Sequence, residues 1–369
     1  MTAPLLSVSR RTRRTPFTDR VEAAGVRAYT VYNHMLLPTV FESLEADAAH
    51  LKRHVQVWDV SCQRQVQVDG PDARYLLQLC TPRDLGRLGP GQCRYAPLVD
   101  VDGGMLNDPV ILQIDARRYW VSIADHDIRL WLAGIAAGMG LRVTVDEPDV
   151  NPLAVQGPQA ETLVRRVFGE AVHDIRFFRY EQLAFAGRSL VVSRSGYSRQ
   201  GGFEIYVEGA DIAGPLWDAL MEAGADLGVR AGGPNLIERI EGGLLSYGND
   251  MTRADTPYEC GAGPVCRLDT EPRCLAAEAL REEARHGPRR HIRGLRIDGA
   301  PVPSCDRAWE VLTDGEPCGQ VTSAVWSPER ATNVAIGMIE AGRWAAGTRV
   351  TLDAPDGPRD ATVCDLPHA

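Results

Sequence analysis

The sequence predicts an α+β fold with a separable β-rich C-terminal end. Three observations point there. Helix-period segments and short strand-like runs are mixed along the first 285 of the 369 residues. A charged, helix-prone stretch at 270–290 is then broken at Gly287-Pro288, the most plausible linker. From residue 291 a mostly β pattern takes over, with turn signals at Asp314-Gly315 and Pro355-Asp356-Gly357, as in a small barrel or sandwich. The division is therefore expected between a core over 1–285 and a β domain over 286–369.

The elements follow in order. Val40, Leu44, Ala48 and Leu51 recur near helical period, which predicts a helix over 40–54. Val55–Val60 and Gln65–Val68 read as short strands. Asp69-Gly70-Pro71 turns the chain into a helix through Ala73–Leu79, with Pro71 where a first turn tolerates it. Asp102-Gly103-Gly104 predicts a hairpin turn between Tyr95–Val99 and Val110–Ile114, and a further strand follows at Tyr119–Ile123. Ile128, Trp131, Leu132 and Ile135 share one face of a helix expected over 126–140. Further on, a helix at 158–168, strands near 182–194 and 203–208, and a helix near 213–228 repeat the mixture.

Composition narrows the class. The chain is 44% hydrophobic, enough for a sizeable core without disulfides. Its 40 basic and 49 acidic residues give −9, the wrong sign for a phosphate-tracking nucleic-acid binder. No apolar run reaches the ~18–20 residues of a membrane helix. Arg10, Arg11, Arg13 and Arg14 are followed by no apolar segment, so an export signal is rejected and a cytoplasmic protein is expected. Nine irregularly spaced cysteines suit free thiols in a reducing compartment. Cys260, Cys266 and Cys274 are too widely spaced before His286 and His291 for a zinc site, and His50 and His54 read as helix-face packing. No metal is expected. The usual nucleotide, metalloprotease and hydrolase motifs are absent.

Longer strings carry more. They are Leu106-Asn-Asp108-Pro-Val110; Arg194-Ser-Gly-Tyr197 running on to Phe203-Glu204-Ile-Tyr206; Ile237-Glu-Arg239-Ile-Glu241 running on to Tyr247-Gly-Asn-Asp250-Met; and Gly319-Gln-Val-Thr322-Ser323-Ala-Val-Trp326. With Trp58-Asp-Val and Gly91-Gln-Cys-Arg-Tyr95 they resemble, in the same order, the folate-binding aminomethyltransferase family of the glycine-cleavage T-protein. Ala28 to Pro38, Thr81-Pro-Arg-Asp84, Glu147 to Gly157 and Leu245 to Met251 are similar to its dimethylsulfoniopropionate demethylase branch. The resemblance implies a three-domain fold around a central folate cleft, two interleaved α+β subdomains followed by a C-terminal β-barrel. It also implies transfer of one S-methyl group of a sulfonium zwitterion to tetrahydrofolate as co-substrate. The products would be 5-methyltetrahydrofolate and 3-methylthiopropionate.

Residue roles follow from the same resemblance. Asp108 matches the catalytic aspartate, although Asn-Asp-Pro alone reads as a turn. Glu204 matches the pterin-binding glutamate, since a carboxylate can accept paired donors from an amino-pyrimidine edge. Tyr95, Ser122 and Tyr206 match folate-lining positions, and Arg239 is expected to hold folate or brace the cleft. Tyr32 and Tyr197 are expected at the substrate, because aromatic faces suit a sulfonium cation. Taken alone, these tyrosines read as core aromatics. Two departures stand out: the demethylase branch has tryptophan where this chain has Tyr197, the T-protein's residue, and residues 260–274 differ from the branch. An aminomethyltransferase, an N-methyl (betaine-type) demethylase and a non-catalytic folate binder are the alternatives. The expected partner is a small molecule, with no nucleic acid and no membrane, and an oligomer is compatible with the sequence.

Overall fold

The computed structural model describes residues 9–368. Helices and sheets are mixed, and the chain forms two compact units, each built from separated stretches. The first takes the residues up to Arg64, Asp149–Gly196 and Gln200–Pro234; the second takes Gln65–Pro148, Tyr197–Arg199 and Asn235 onward. No helix among the described residues is long and apolar enough to cross a membrane.

The first unit is built on a six-stranded sheet. Its order is Tyr180–Phe185, Arg188–Ser193, Gly202–Glu208, Val150–Gln156, Gln56–Asp59 and Arg230–Gly232. Strand alternation decides what each face carries. Phe203, Ile205 and Val207 enter a core with Leu163 and Leu216 from the helices Ala160–Phe168 and Ala213–Ala223. Full burial of each such side chain contributes about 1.5–3 kcal/mol, which outweighs any single surface interaction. Glu204 and Tyr206 are thereby turned to the opposite face. Cross-strand partners share a face, so Ser193, Glu204, Ala154 and Trp58 make one rank over four strands. Gly202 opens the Glu204 strand at φ +157°, where a Cβ would sit 2.3 Å from the Val155 carbonyl oxygen. Only glycine fits there.

The hairpin Ala28–Tyr32 and Met35–Val40 belongs to the same unit. Its two-residue loop, Asn33-His34, has φ of 50° and 62°, the left-handed pair that a tight hairpin needs. Met35 and Leu37 join Trp58 and Ala154 in a small apolar cluster, and Tyr32 packs against it.

The second unit holds an antiparallel five-stranded sheet, ordered Thr144–Asp146, Gln65–Asp69, Arg118–Ser122, Val110–Gln113 and Gln92–Tyr95. Leu76 and Leu77 of the helix Ala73–Cys80 and Leu132 of Arg129–Gly138 cover one face, against Ile111 and Val121. The Asp102-Gly103-Gly104 turn is present and joins Leu98–Val99 to Met105–Asn107. Residues 290–364 form a closed six-stranded barrel filled by Leu295, Trp309, Ile339 and Leu352. Closure leaves no unpaired sheet edge.

Several element ends differ from the sequence reading. The helix expected over 40–54 spans only Leu44–Leu51, because Val40 closes a strand opposite Ala28 and the Ser43 hydroxyl caps the Ala46 amide at 3.1 Å. The helix expected near 213–228 ends at Ala223, where Gly224 lies against Val229. The helix-prone linker stretch carries the helix Ala277–His286, with Gly287 at φ +80° just after it and the first barrel strand starting at Arg290. The strand Val150–Gln156 and the helix Leu236–Glu241 went unread.

Candidate active site

In the second unit the site grows from the end of the five-stranded sheet. Gln65, Ser122, Val110 and Tyr95 are in register on adjacent strands and form one rank. Ser122 is buried and accepts a hydrogen bond from Gln65 Nε2 at 3.0 Å. Asp108 stands two residues before Val110, and the Tyr95 phenol donates to its Oδ2 at 3.3 Å. Asp108 keeps partial solvent access. Burial nevertheless pushes its pKa up to about 8, opposed by the Tyr95 bond and aided by the charge of Asp250. A carboxyl group that touches solvent yet is strongly desolvated is placed to meet a ligand and tuned to exchange a proton near neutrality.

The strand before Asp108 is clamped. The Tyr247 hydroxyl donates to the Met105 carbonyl at 2.9 Å. Next, His126 Nδ1 bonds the Leu106 carbonyl at 2.8 Å, which makes Nδ1 the protonated nitrogen. The wholly buried Asn107 then accepts from the Ala124 amide at 2.9 Å and donates to the His126 carbonyl at 2.8 Å. The His126 ring stacks on Tyr247, with centroids 5.6 Å apart. Three consecutive residues are thus tied down just before the candidate catalytic carboxylate.

Arg239 lies on the helix Leu236–Glu241, whose start is capped by the Asn235 side chain. It is buried and committed within the unit: Nη1 donates to Asp250 Oδ2 at 2.7 Å and Nη2 to Ser323 Oγ at 2.6 Å. Asp250 also accepts from Ser323 Oγ at 2.6 Å, Thr322 Oγ1 at 2.8 Å and the Ser246 amide at 2.9 Å. Burial pulls the Arg239 pKa down, but Asp250 and Tyr197 more than offset it. The half-buried Tyr197 donates to the Leu245 carbonyl at 2.7 Å. Burial pushes the Tyr197 phenol up, and Asp108 adds to the shift; Asp108 and Tyr197 also help raise Tyr95. Asp108, Tyr95 and Tyr197 therefore share one neighbourhood, with Arg239 behind Tyr197.

In the first unit Glu204 and Tyr206 lie on the face away from the main core. Glu204 is buried, and among the described residues the Ser195 hydroxyl supplies the one hydrogen bond to its carboxylate. Burial raises its pKa, and Ser195 opposes that rise. Such an acceptor has capacity left for a donor-rich ligand edge. Tyr206, at 1% exposure, supports this face from within. Tyr32 packs on the Trp58 cluster of the same unit.

Sequence reasoning missed Ser195, Asn107, His126, Tyr247, Asp250 and Ser323. Most of them sit in or beside the informative strings. Their partners lie far along the chain, 73 residues for Ser323 and Asp250 and 142 for Tyr247 and Met105, so no spacing rule marks them.

Residues 17–270 match the GCVT N-terminal domain, and residues 290–368 match the glycine cleavage T-protein C-terminal barrel domain. The chain belongs to the glycine-cleavage T-protein family. Among its T-protein relatives, the dimethylsulfoniopropionate demethylase DmdA of Ruegeria pomeroyi is 60% identical over 355 residues, 96% of this chain and 97% of that protein. An aminomethyltransferase of Shouchella clausii is 28% identical over 96% of this chain and 97% of its own length. The T-protein fold is seen directly in the glycine cleavage system aminomethyltransferase T from Bartonella henselae. It superposes with a TM-score of 0.87 at 24% identity, covering 97% of this chain and 98% of that one.

Proposed function

We propose that this chain is a tetrahydrofolate-dependent demethylase. It moves one S-methyl group of dimethylsulfoniopropionate to tetrahydrofolate and releases 5-methyltetrahydrofolate and 3-methylthiopropionate. The observation that carries the reading is the 60% identity, over 96% of the chain, with a protein named for that activity. The enzyme is assigned to the cytoplasm, with a small zwitterion as its substrate and neither nucleic acid nor membrane as partner. Its division into a core over 1–285 and a barrel domain over 286–369 is supported by family matches that end at 270 and resume at 290.

The donor set fits tetrahydrofolate. Glu204 offers a buried carboxylate with one hydrogen bond to the amino-pyrimidine edge, on the face that Tyr206 supports. The resemblance assigns Tyr95 and Ser122, which share one rank of the second unit's sheet, to folate lining, and Arg239 acts from behind Tyr197 as a positioning residue. When bound, tetrahydrofolate supplies the N5 lone pair that takes the methyl group. The leaving group is a neutral thioether and needs no proton, so the protein's task is alignment and exclusion of water. The resemblance assigns Tyr32 and Tyr197 to the substrate, and aromatic faces suit a sulfonium cation. Asp108, once ionised, receives the proton that N5 gives up after transfer and passes it to solvent, which its partial exposure allows.

Tyr197 favours a second reading, an aminomethyltransferase, because tyrosine is the residue that the resemblance assigns to the T-protein. One assay separates the two. Purified protein is incubated with tetrahydrofolate and dimethylsulfoniopropionate, and 5-methyltetrahydrofolate and 3-methylthiopropionate are quantified over time. Equal amounts of both, lost in Asp108→Ala, establish the demethylase. No turnover with tetrahydrofolate binding intact rejects it and moves the test to the glycine-cleavage reaction.

A further inference from the structure

A cluster of arginines in the second unit takes no part in the site above. Arg83 lies just after the helix Ala73–Cys80, Arg94 on the strand Gln92–Tyr95, and Arg267 in the segment that departs from the demethylase branch. The backbone gathers them. The Arg267 amide donates to the Pro82 carbonyl at 2.6 Å, and Arg83 pairs with Cys266 in an antiparallel bridge. Arg94 Nη1 donates to the Asp84 carbonyl at 2.7 Å, which brings its guanidinium to the residue after Arg83. Arg267 Nη1 is held by the carbonyls of Pro264 at 3.0 Å and Cys266 at 2.8 Å.

Among the described residues none of the three arginines forms an ion pair, and the Arg83 side chain makes no hydrogen bond. The nearby Asp84 carboxylate attracts Arg83 but is turned to the Gly86 amide at 2.7 Å. Arg83 is half-buried, and its guanidinium nitrogens still reach solvent. Burial, then the like charges of Arg94 and Arg267, pull its pKa down. Gathering three cations at a partly desolvated spot costs free energy that a bound anion would return. Guanidinium donors in a fixed fork match oxyanions that present two or more oxygens. Arg94 also alternates with Tyr95 along one strand, so the cluster belongs to the other side of that strand from the Asp108 contact.

We propose that Arg83, Arg94 and Arg267 form a binding site for a small, multiply charged oxyanion, separate from the Asp108 site. Two sources offer that chemistry: a free anion such as inorganic phosphate, or the glutamyl carboxylates of tetrahydrofolate. The second source rests on the function proposed above; the first does not.

The test is calorimetric titration of the full-length protein with inorganic phosphate, at ionic strength held constant with chloride. Saturable binding is expected, weakened about tenfold in Arg83→Gln by loss of one charge-assisted contact, and largely retained in Arg83→Lys. Arg267→Gln, at an exposed position, gives the same answer should Arg83→Gln alter the fold. A second arm compares tetrahydrofolate with a tetrahydropterin that lacks the glutamyl group. Weakened tetrahydrofolate binding in Arg83→Gln, with tetrahydropterin unchanged, supports the site and identifies the glutamyl carboxylates as its ligand. Weakened phosphate binding alone supports it with a free anion. Unaltered binding in both arms overturns it, as does phosphate heat that never saturates together with unaltered tetrahydrofolate binding, and neither arm requires turnover.

Discussion

The Tyr95 phenol donates to Oδ2 of Asp108 across 3.3 Å, between the edge strand Gln92–Tyr95 and the residue that leads into Val110–Gln113. That bond pulls the Asp108 pKa down while burial pushes it up, and burial prevails, leaving it at about 8. The pair sets the fraction of Asp108 able to take a proton at neutral pH.

The pH dependence follows with a definite sign. The folded-state pKa, about 8, lies above the ordinary 3.8. Between those values the native state holds a proton that the unfolded state has released. This contribution to stability is therefore greatest at acid pH and is lost as pH rises toward 8. Denaturant midpoints measured across this range should show that decline, and Asp108→Asn should flatten it. Turnover should rise with pH as Asp108 ionises. In Tyr95→Phe the bond that lowers the pKa is gone, so the rising limb of the pH–rate profile shifts to higher pH.

Asn107→Ala tests the clamp. The substitution removes the buried Asn107 amide and the three hydrogen bonds it makes with the backbone of Ala124 and His126. A loss of about 1–3 kcal/mol is expected in chemical denaturation. Because the Asp108 backbone loosens with it, kcat should fall more than KM rises, and Asn107→Asp should not restore it, since an ionised carboxylate cannot donate to the His126 carbonyl.

Asp250→Ala leaves the buried Arg239 without its counter-charge. Removing one partner of such a pair costs about 3–5 kcal/mol, which would show as a lower midpoint of thermal unfolding. Ser323→Ala removes a single contact on each side of the pair and should cost less, about 1 kcal/mol.

Ser195→Ala removes the hydroxyl that bonds both Glu204 and Ser193 Oγ. The hydroxyl opposes the burial-driven rise of the Glu204 pKa, so its loss raises that pKa further. A carboxylate must be ionised to accept paired donors. Tetrahydrofolate binding, followed by fluorescence quenching, should then fail at a higher pH as the solution is acidified than in the unaltered protein. An unchanged binding profile would remove Glu204 from the ligand.

Much of this was legible in the residues. A strand was expected near 203–208, and in the structure, where it spans Gly202–Glu208, alternation puts Phe203 and Ile205 on the core face and Glu204 on the other. Turn chemistry located the 102–104 hairpin, and the dense turn signals after 291 marked the barrel. Element ends were less legible where neighbouring strands compete with local period: Val40 fits a helix by spacing, yet it pairs with Ala28. The strings that carry Asp108, Glu204, Tyr197 and Arg239 announced the family, because chemistry needs particular side chains in a particular order.

Side-chain identity and order, then, determined the fold class, the family and the candidate residues. Environment was decided only by tertiary structure, because burial and long-range partners depend on segments that sequence distance hides. Asp108 is an ordinary aspartate in the sequence; packing at a strand end, with Tyr95 as donor, raises its pKa to about 8. Arg239 read as a ligand contact or a brace. The contact between its helix and a barrel strand, 84 residues away at Ser323, commits one guanidinium nitrogen to the protein itself. Arg83, Arg94 and Arg267 showed no common purpose until the backbone bridge between Arg83 and Cys266 drew their charges together.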